Sequence, residues 1–219
     1  MGTGLGIRLR AQTRELHIAA EHRPFMQALL RSQLPQAPYC LLLRNLHPIY
    51  TTLESALQIH AAHPMVAPVF NRALLRADTL ADDLATLHGE CWEEALAVLP
   101  ACKRYCARLR ELQRNAPSLL SAHAYVRYLG DLSGGQILKR IVRTGLALTS
   151  AAGTDFYDFG DATQCAALIR SFRDGLEHIG PDAAQADAIV AEAQQAYRLH
   201  LELFDQLALA SQAHGFSVQ

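Results

Sequence analysis

The chain predicts an all-α fold, a helical bundle formed as one domain over residues 1–219. Three observations carry that expectation. Hydrophobic side chains make up 50% of the sequence, enough at this length to bury a sizeable core. Leu and Ala dominate while β-branched runs are scarce, which favours helix over strand. Apolar residues such as Leu42, Leu46, Ile49, Leu53 and Leu57 return every three or four positions, the period of an amphipathic helix.

Composition also excludes whole classes of partner. With 20 basic and 21 acidic side chains and no polybasic block, nothing favours nucleic acid or an anionic membrane surface. No apolar run is long enough to span a bilayer, and the polar tail over residues 211–219 carries no membrane anchor. The start MGTGLGIRLR lacks the apolar stretch of a secretion signal, and position 6 is not the Ser or Thr that myristoylation needs. The five cysteines are odd in number and show neither a CxxC pair nor zinc spacing, so they read as reduced core thiols of a cytoplasmic protein.

The first expected helix covers residues 7–22, with Arg10, Thr13, His17 and Glu21 forming one polar stripe up one face. Pro24 breaks the chain, and residues 25–31 make a short helix carrying Phe25, Met26, Leu29 and Leu30. Pro35 to Pro38 reads as a loop, because each proline removes a donor and restricts its neighbour. A long helix follows over residues 39–60, with Tyr50 on it and Pro48 predicting a kink near residues 44–47. Residues 60–68 read as a solvated connector, His60 and His63 included. Helices are then expected at 69–75, at 79–88 between an Asp78 N-cap and Gly89, and at 101–115. Trp92 and Leu96 to Leu99 read as core.

Pro117 and Ser118 open a helix that extends to about residue 146. Residues 149–160 are the most loop-like, with Gly153 and Gly160 around Phe156, Tyr157 and Phe159. Asp161 caps a helix to residue 178, Gly180 and Pro181 stop it, and the last helix runs over 182–209.

Within the 117–146 helix, the stretch AHAYVRYLGDLSGGQIL is interrupted by Gly130, Gly134 and Gly135. Each interior glycine costs a helix roughly 1 kcal/mol relative to alanine. Gly130 and Gly134 lie one turn apart on one face, leaving a bare strip where a flat partner can approach the main chain. Asp131 and Ser133 sit beside that strip, and Tyr125, Arg127 and Tyr128 lie one turn upstream. A buried carboxylate there needs such partners.

The segment YLGDLSGGQ resembles the signature of the haem oxygenases, and LRAQTRELHIAAE resembles their proximal helix. The resemblance covers nearly the whole chain and is loosest between residues 142 and 161. It implies that haem b, both substrate and cofactor, is sandwiched between a proximal helix and a glycine-kinked distal helix. His17 is then the iron ligand, and Glu21, one turn on, holds its other ring nitrogen directly or through water. Arg10 stands two turns before His17, about 10 Å along the axis, a reach that suits a haem propionate. Arg170 falls where the family keeps a propionate-binding arginine; one turn earlier, where many relatives have lysine, this chain has Ala166, and Arg173 is the nearest substitute cation. Thr13 and Tyr125 join the haem-binding set, and Tyr197, Leu201 and Phe204 line the pocket. On the distal side, Gly130 and Gly134 crowd bound dioxygen toward a meso carbon. Asp131 anchors the water that delivers protons, and Arg127 and Tyr50 hold that network. His200 stands where relatives often place an asparagine of the distal network, and a histidine with no role is the other reading of it.

The activity so implied is cleavage of haem to biliverdin, carbon monoxide and ferrous iron, with dioxygen and an electron donor such as a ferredoxin or a reductase. A non-catalytic haem carrier or sensor on the same fold is the alternative, although a binder has no need of an aspartate-centred proton path. A di-iron carboxylate bundle requires Glu-x-x-His pairs, and none occurs in this chain.

Overall fold

The computed structural model describes residues 4–150 and 152–213, so the expectations for residues 1–3 and for the tail beyond 213 lie outside it. Helices α1 (Leu5–Glu21), α2 (Pro24–Leu30) and α3 (Gln36–Ile59) fall near their expected places. α3 begins at Gln36 and takes in Pro38, which the loop reading had excluded. A proline in the first turn is tolerated because the N–H it lacks would have no intrahelical acceptor.

The helix expected over 69–75 is only a 3₁₀ turn at Arg72–Leu74. The Asn71 side chain accepts from the Ala73 N–H, while the Arg76 guanidinium donates to the carbonyls of Ala73, Leu75 and Asp158. The Ala73 and Leu75 carbonyls at the end of the turn are thus held by a side chain. Helix α4 (Ala77–His88) places Asp78 in its first turn, not at its cap. The cap comes from α3, where the Glu54 carboxylate accepts from Arg76 and Ala77 N–H at 2.5 and 3.2 Å. A one-turn helix α5 (Trp92–Ala95) precedes α6 (Pro100–Asn115) and buries Trp92 against His47 and Arg44.

The single helix expected from Pro117 to about residue 146 is in fact broken in register. A 3₁₀ turn (Pro117–Leu119) leads into α7 (Leu120–Ala124), a π-helical turn (Tyr125–Leu129) and then α8 (Gly130–Gly145). Such wide turns inside helices are frequent at functional sites. Helix α9 (Ala162–His178) opens on Asp161 as expected, with Gln164 completing a reciprocal capping box. Asp182 and Gln185 exchange the same pair of bonds ahead of α10 (Ala183–Ala213). α10 runs past its expected end, and Ser211 inside it donates to the Leu207 carbonyl.

α3 and α10 are the long helices around which the rest pack: α3 against α4 and α6, α10 against α1, α2, α6 and α7. Leu43, Ile49, Tyr50, Leu53 and Leu57 of α3 are wholly buried. All five cysteines are free thiols; four are buried, but Cys91, in the connection just before α5, is exposed and is not a core thiol. Among the described residues no helix is long and apolar enough to cross a membrane. α1 and α8 do not pack along one another, although α2 and α9 each touch both, and the Gly130 and Gly134 face of α8 meets no other atoms among the described residues, which leaves room for a crevice between α1 and α8.

Candidate functional site

One wall of the crevice is α1. His17 projects from it half exposed, and Glu21 one turn on faces its Nδ1 at 3.8 Å, the range of a water-bridged contact. The Tyr197 ring from α10 lies edge-on at 6.1 Å. Nε2 is therefore the nitrogen turned away from Glu21, with its lone pair available to an incoming metal once Nδ1 carries the proton. One turn earlier Thr13 is buried, donates to the Leu9 carbonyl at 2.7 Å and lies 3.4 Å from the Tyr125 hydroxyl. That contact ties α1 to the π-helical turn at one end of the crevice.

The opposite wall is the π-helical turn and α8. A Cβ built on Gly130 or on Gly134 meets nothing within 4 Å, so the bare strip read from the sequence faces open space. Gly135 serves another purpose: a Cβ there would lie 3.2 Å from the Tyr157 carbonyl oxygen, so its bareness lets the 155–157 turn close onto α8. Phe156 of that turn, held by the Asp83 carboxylate through its backbone N–H at 2.8 Å, packs edge-on against Tyr50 at 5.3 Å.

Behind the strip the structure brings together the three polar residues predicted for it. Asp131 is buried; its Oδ2 accepts from the Tyr50 hydroxyl and its Oδ1 from Arg127 Nη2 at 3.2 Å. Arg127 also donates to the Tyr50 oxygen from Nε at 2.9 Å and from Nη2 at 2.7 Å. The phenol is thereby saturated, while each carboxylate oxygen of Asp131 keeps a lone pair for water. Burial pushes the Asp131 carboxyl above the usual carboxylate range, against the pull of Arg127, the Tyr50 bond and Arg76. Burial likewise raises the Tyr50 phenol. Burial works against the Arg127 charge, but Tyr50 and Asp131 beside it more than offset that and hold the guanidinium protonated.

The network reaches further than the sequence reading foresaw. Arg127 Nη1 also donates to His200 Nε2, the residue that the resemblance sets where relatives often have an asparagine of the distal network. Tyr128 donates to Glu54 Oε1 at 3.5 Å, and burial lifts that carboxyl to about 7 although two backbone N–H groups bind it. A second buried chain joins the Tyr105 hydroxyl to His123 Nδ1 at 3.1 Å and His123 Nε2 to Glu192 at 2.9 Å, with Arg108 clamping Glu192 from the surface side. None of these pairs is close in sequence, so no local pattern announces them.

The remaining predicted residues are spread out. Arg10 on α1 and Arg170 and Arg173 on α9 are exposed cations, available at the edge of the molecule. Arg170 also borders a shallow surface cleft with Pro68, Ser171, Asp174 and His178, away from the Tyr50, Arg127 and Asp131 cluster. Tyr197 and Phe204 are buried and Leu201 partly so. Among the described residues no group of three His, Cys, Asp or Glu side chains forms a ready-made metal cage. A metal here has to bring most of its own ligands, as a porphyrin does. The exposed imidazole, the glycine strip across from it and the exposed arginines suit that planar, anionic group.

Fold and site together define an all-helical protein that opens a crevice between a histidine-bearing helix and a glycine-interrupted one. A family model described as heme oxygenase matches residues 3–206. Heme oxygenase 1 of a Nostoc strain is 36% identical over 207 residues, covering 94% of this chain and 87% of that protein. Human heme oxygenase 1 is also 36% identical, over 201 residues, covering 91% of this chain and 70% of its own length. The crystal structure of heme oxygenase-2 from Synechocystis in complex with heme and NO superposes with a TM-score of 0.92 at 35% identity, covering 97% of this chain and 88% of that one. Heme oxygenase-1 from the same organism, in complex with heme, gives 0.91 at 33% identity, covering 97% and 96% of the two chains. The chain belongs to the heme oxygenase family.

Proposed function

We propose that this chain, acting as one domain in the cytoplasm, is a haem oxygenase that opens haem to biliverdin with release of carbon monoxide and ferrous iron. The observation that carries the proposal is the Asp131 cluster. A carboxyl whose two oxygens are fixed by Tyr50 and Arg127, set directly behind the Gly130 and Gly134 strip, suits proton delivery and is superfluous for mere binding. Haem, when bound, supplies both the iron that activates dioxygen and the meso carbon that is oxidised.

The protein's part follows from its own groups. His17 would hold the haem iron through Nε2, with Glu21 fixing the tautomer by accepting from Nδ1–H through water. Arg10 and Arg170 would pair with the propionates, and the Thr13–Tyr125 contact ties α1 to the π-helical turn. Gly130 and Gly134 present bare backbone with no side chain, which would let a flat haem come close to α8. Asp131 holds water on its free lone pairs and hands on a proton; its raised pKa keeps the protonated form within reach. Tyr50 and Arg127 keep the carboxyl aimed at the strip. Electrons come from a separate donor such as a ferredoxin or a reductase.

The test is to add stoichiometric haemin, record the Soret band, and then supply ascorbate or reduced ferredoxin in air. The expected result is a haem–histidine Soret band that decays into biliverdin absorption. Asp131→Ala binds haemin normally but loses roughly 10²-fold or more in the rate of biliverdin formation, the scale of general acid–base catalysis. A stable haem complex that yields no bilin with either donor would point instead to a haem carrier or sensor. Full biliverdin yield from Asp131→Ala would remove Asp131 from the mechanism.

A further inference from the structure

We propose that Asp83 is a positioning residue for this site: its carboxylate, reaching from α4, clasps the 155–157 turn so that Phe156 stays sealed against the Tyr50 ring and bulk water stays off Tyr50 and Asp131. The proposal rests on the reading of Tyr50, Arg127 and Asp131 as the proton-handling cluster. Asp83 is 1% exposed, and its two oxygens divide between consecutive N–H groups. Oδ1 accepts from Asp155 at 2.9 Å and Oδ2 from Phe156 at 2.8 Å. A carboxylate that takes neighbouring N–H groups one oxygen each fixes the direction of the backbone between them, and with it the course of the Phe156 side chain.

The turn is fastened to three helices: to α4 through Asp83, to α8 through the close approach at Gly135, and to α3 through the edge-on contact of Phe156 with Tyr50 at 5.3 Å. Tyr128 supplies another wall of the Tyr50 ring at 6.2 Å, and the ring is wholly buried. Tyr157 of the same turn lies near enough to sense the Asp131 charge. Burial pushes the Asp83 carboxyl up to about 6, although the N–H groups of Phe156, Asp155 and Gly153 pull the other way. Asp155 and Tyr157 from the turn and Tyr39 from α3 are the titratable groups beside it. At neutral pH Asp83 is therefore charged and both bonds are charge-assisted. Its pKa is higher here than in water, so acid does not open the turn; it replaces one charged acceptor by a hydroxyl. A buried charge held by backbone N–H groups is costly, and what it secures here is one wall of the Tyr50 pocket. Asp131 reports that seal: burial holds its carboxyl high, so water admitted by a lifted turn brings it down.

Carbon-13 NMR of the aspartate carboxyls and hydrogen exchange of the backbone amides, on the full-length protein with and without haemin, test this. In the unaltered protein the Asp83 carboxyl and the Asp155 and Phe156 amide protons should titrate together near pH 6. Asp83→Asn keeps one acceptor oxygen and loses the charge. The two amides should then exchange roughly tenfold faster or more, the scale of a hydrogen bond to a charged group, and Asp131 should titrate closer to the ordinary carboxylate range. Biliverdin formation should slow by roughly tenfold, short of the roughly 10²-fold that direct loss of a proton-transfer group costs, while haemin affinity is unchanged. Phe156→Leu leaves the Asp83 bonds in place but removes the aromatic wall, and should reproduce the Asp131 shift without the faster exchange. Amides equally protected in Asp83→Asn, or an Asp131 titration that neither variant moves, overturn the proposal. If Asp83→Asn does not fold, the joint titration in the unaltered protein and the Asp131 shift in Phe156→Leu decide. Failure of the unaltered protein to degrade haemin would sink the enzyme reading alone, since the titration and exchange measurements do not depend on turnover.

Discussion

Gly134 separates what favours the folded apoprotein from what favours its ligand. It lies inside α8, and a Cβ added there meets no atom within 4 Å. Replacing an interior helical glycine by alanine stabilises a helix by about 1 kcal/mol when nothing obstructs the methyl group. For a chain of this size that raises Tm by about 2–4 °C. The same methyl group would project into the crevice and occupy space that haem needs. Overpacking of a fitted contact costs about 1–3 kcal/mol, which weakens haemin affinity by roughly 5- to 150-fold. Circular dichroism melts without haemin and Soret titrations with it measure the two effects in the same preparation. The reasoning fails if Gly134→Ala lowers the apoprotein Tm, or if it leaves haemin affinity unchanged. Gly135→Ala is the internal control. Its methyl group would lie 3.2 Å from the Tyr157 carbonyl oxygen, so the packed turn has to give way and the gain in apoprotein stability should disappear.

His17→Ala removes a half-exposed side chain whose nearest ionic partner is 3.8 Å away, so urea denaturation should shift by no more than about 0.5 kcal/mol. The haem–histidine Soret band should be lost and should return on adding imidazole; a normal band in the variant would mean another ligand. Tyr50→Phe leaves two Arg127 N–H groups and Asp131 Oδ2 without the phenol, and should destabilise the protein by about 1–3 kcal/mol in the same assay, in addition to slowing turnover. Burial disfavours the Glu192 carboxylate, yet the His123 and Arg108 bonds outweigh it and hold the pKa at about 2 against an ordinary 4.5. At 1.36 kcal/mol per pH unit this contributes about 3 kcal/mol, present above pH 4.5 and lost as pH falls toward 2. Glu192→Gln should flatten that acid limb of the stability–pH curve; an unchanged limb would show that other carboxylates govern it.

Helix existence was legible in the sequence wherever its causes were local. The Asp161 and Gln164 pair caps α9 within four residues of chain, and the apolar period of α3 needs no partner to be seen. Boundaries failed where a distant group intervened. Glu54 caps α4 from another helix, and Arg76 binds the Ala73 and Leu75 carbonyls from a residue beyond the expected 69–75 helix. The π-helical turn has no marker in Tyr125 to Leu129 themselves, because a wide turn is chosen by what packs on either side of it.

The site divides along the same line. The sequence by itself determined the all-helical class, the histidine-bearing helix, the bare strip at Gly130 and Gly134, and the acid beside it. Each is a matter of residue type and spacing along a single helix, which 3.6 residues per turn converts into a face. Tyr50 and Arg127 were expected beside Asp131 from the resemblance, but only the tertiary structure decided which atoms of the three bond and that His200 accepts from Arg127, while Arg10 and Arg170 stay exposed. Hydrogen bonds between residues on different helices depend on how those helices pack, and burial sets the protonation states on which the bonds rely.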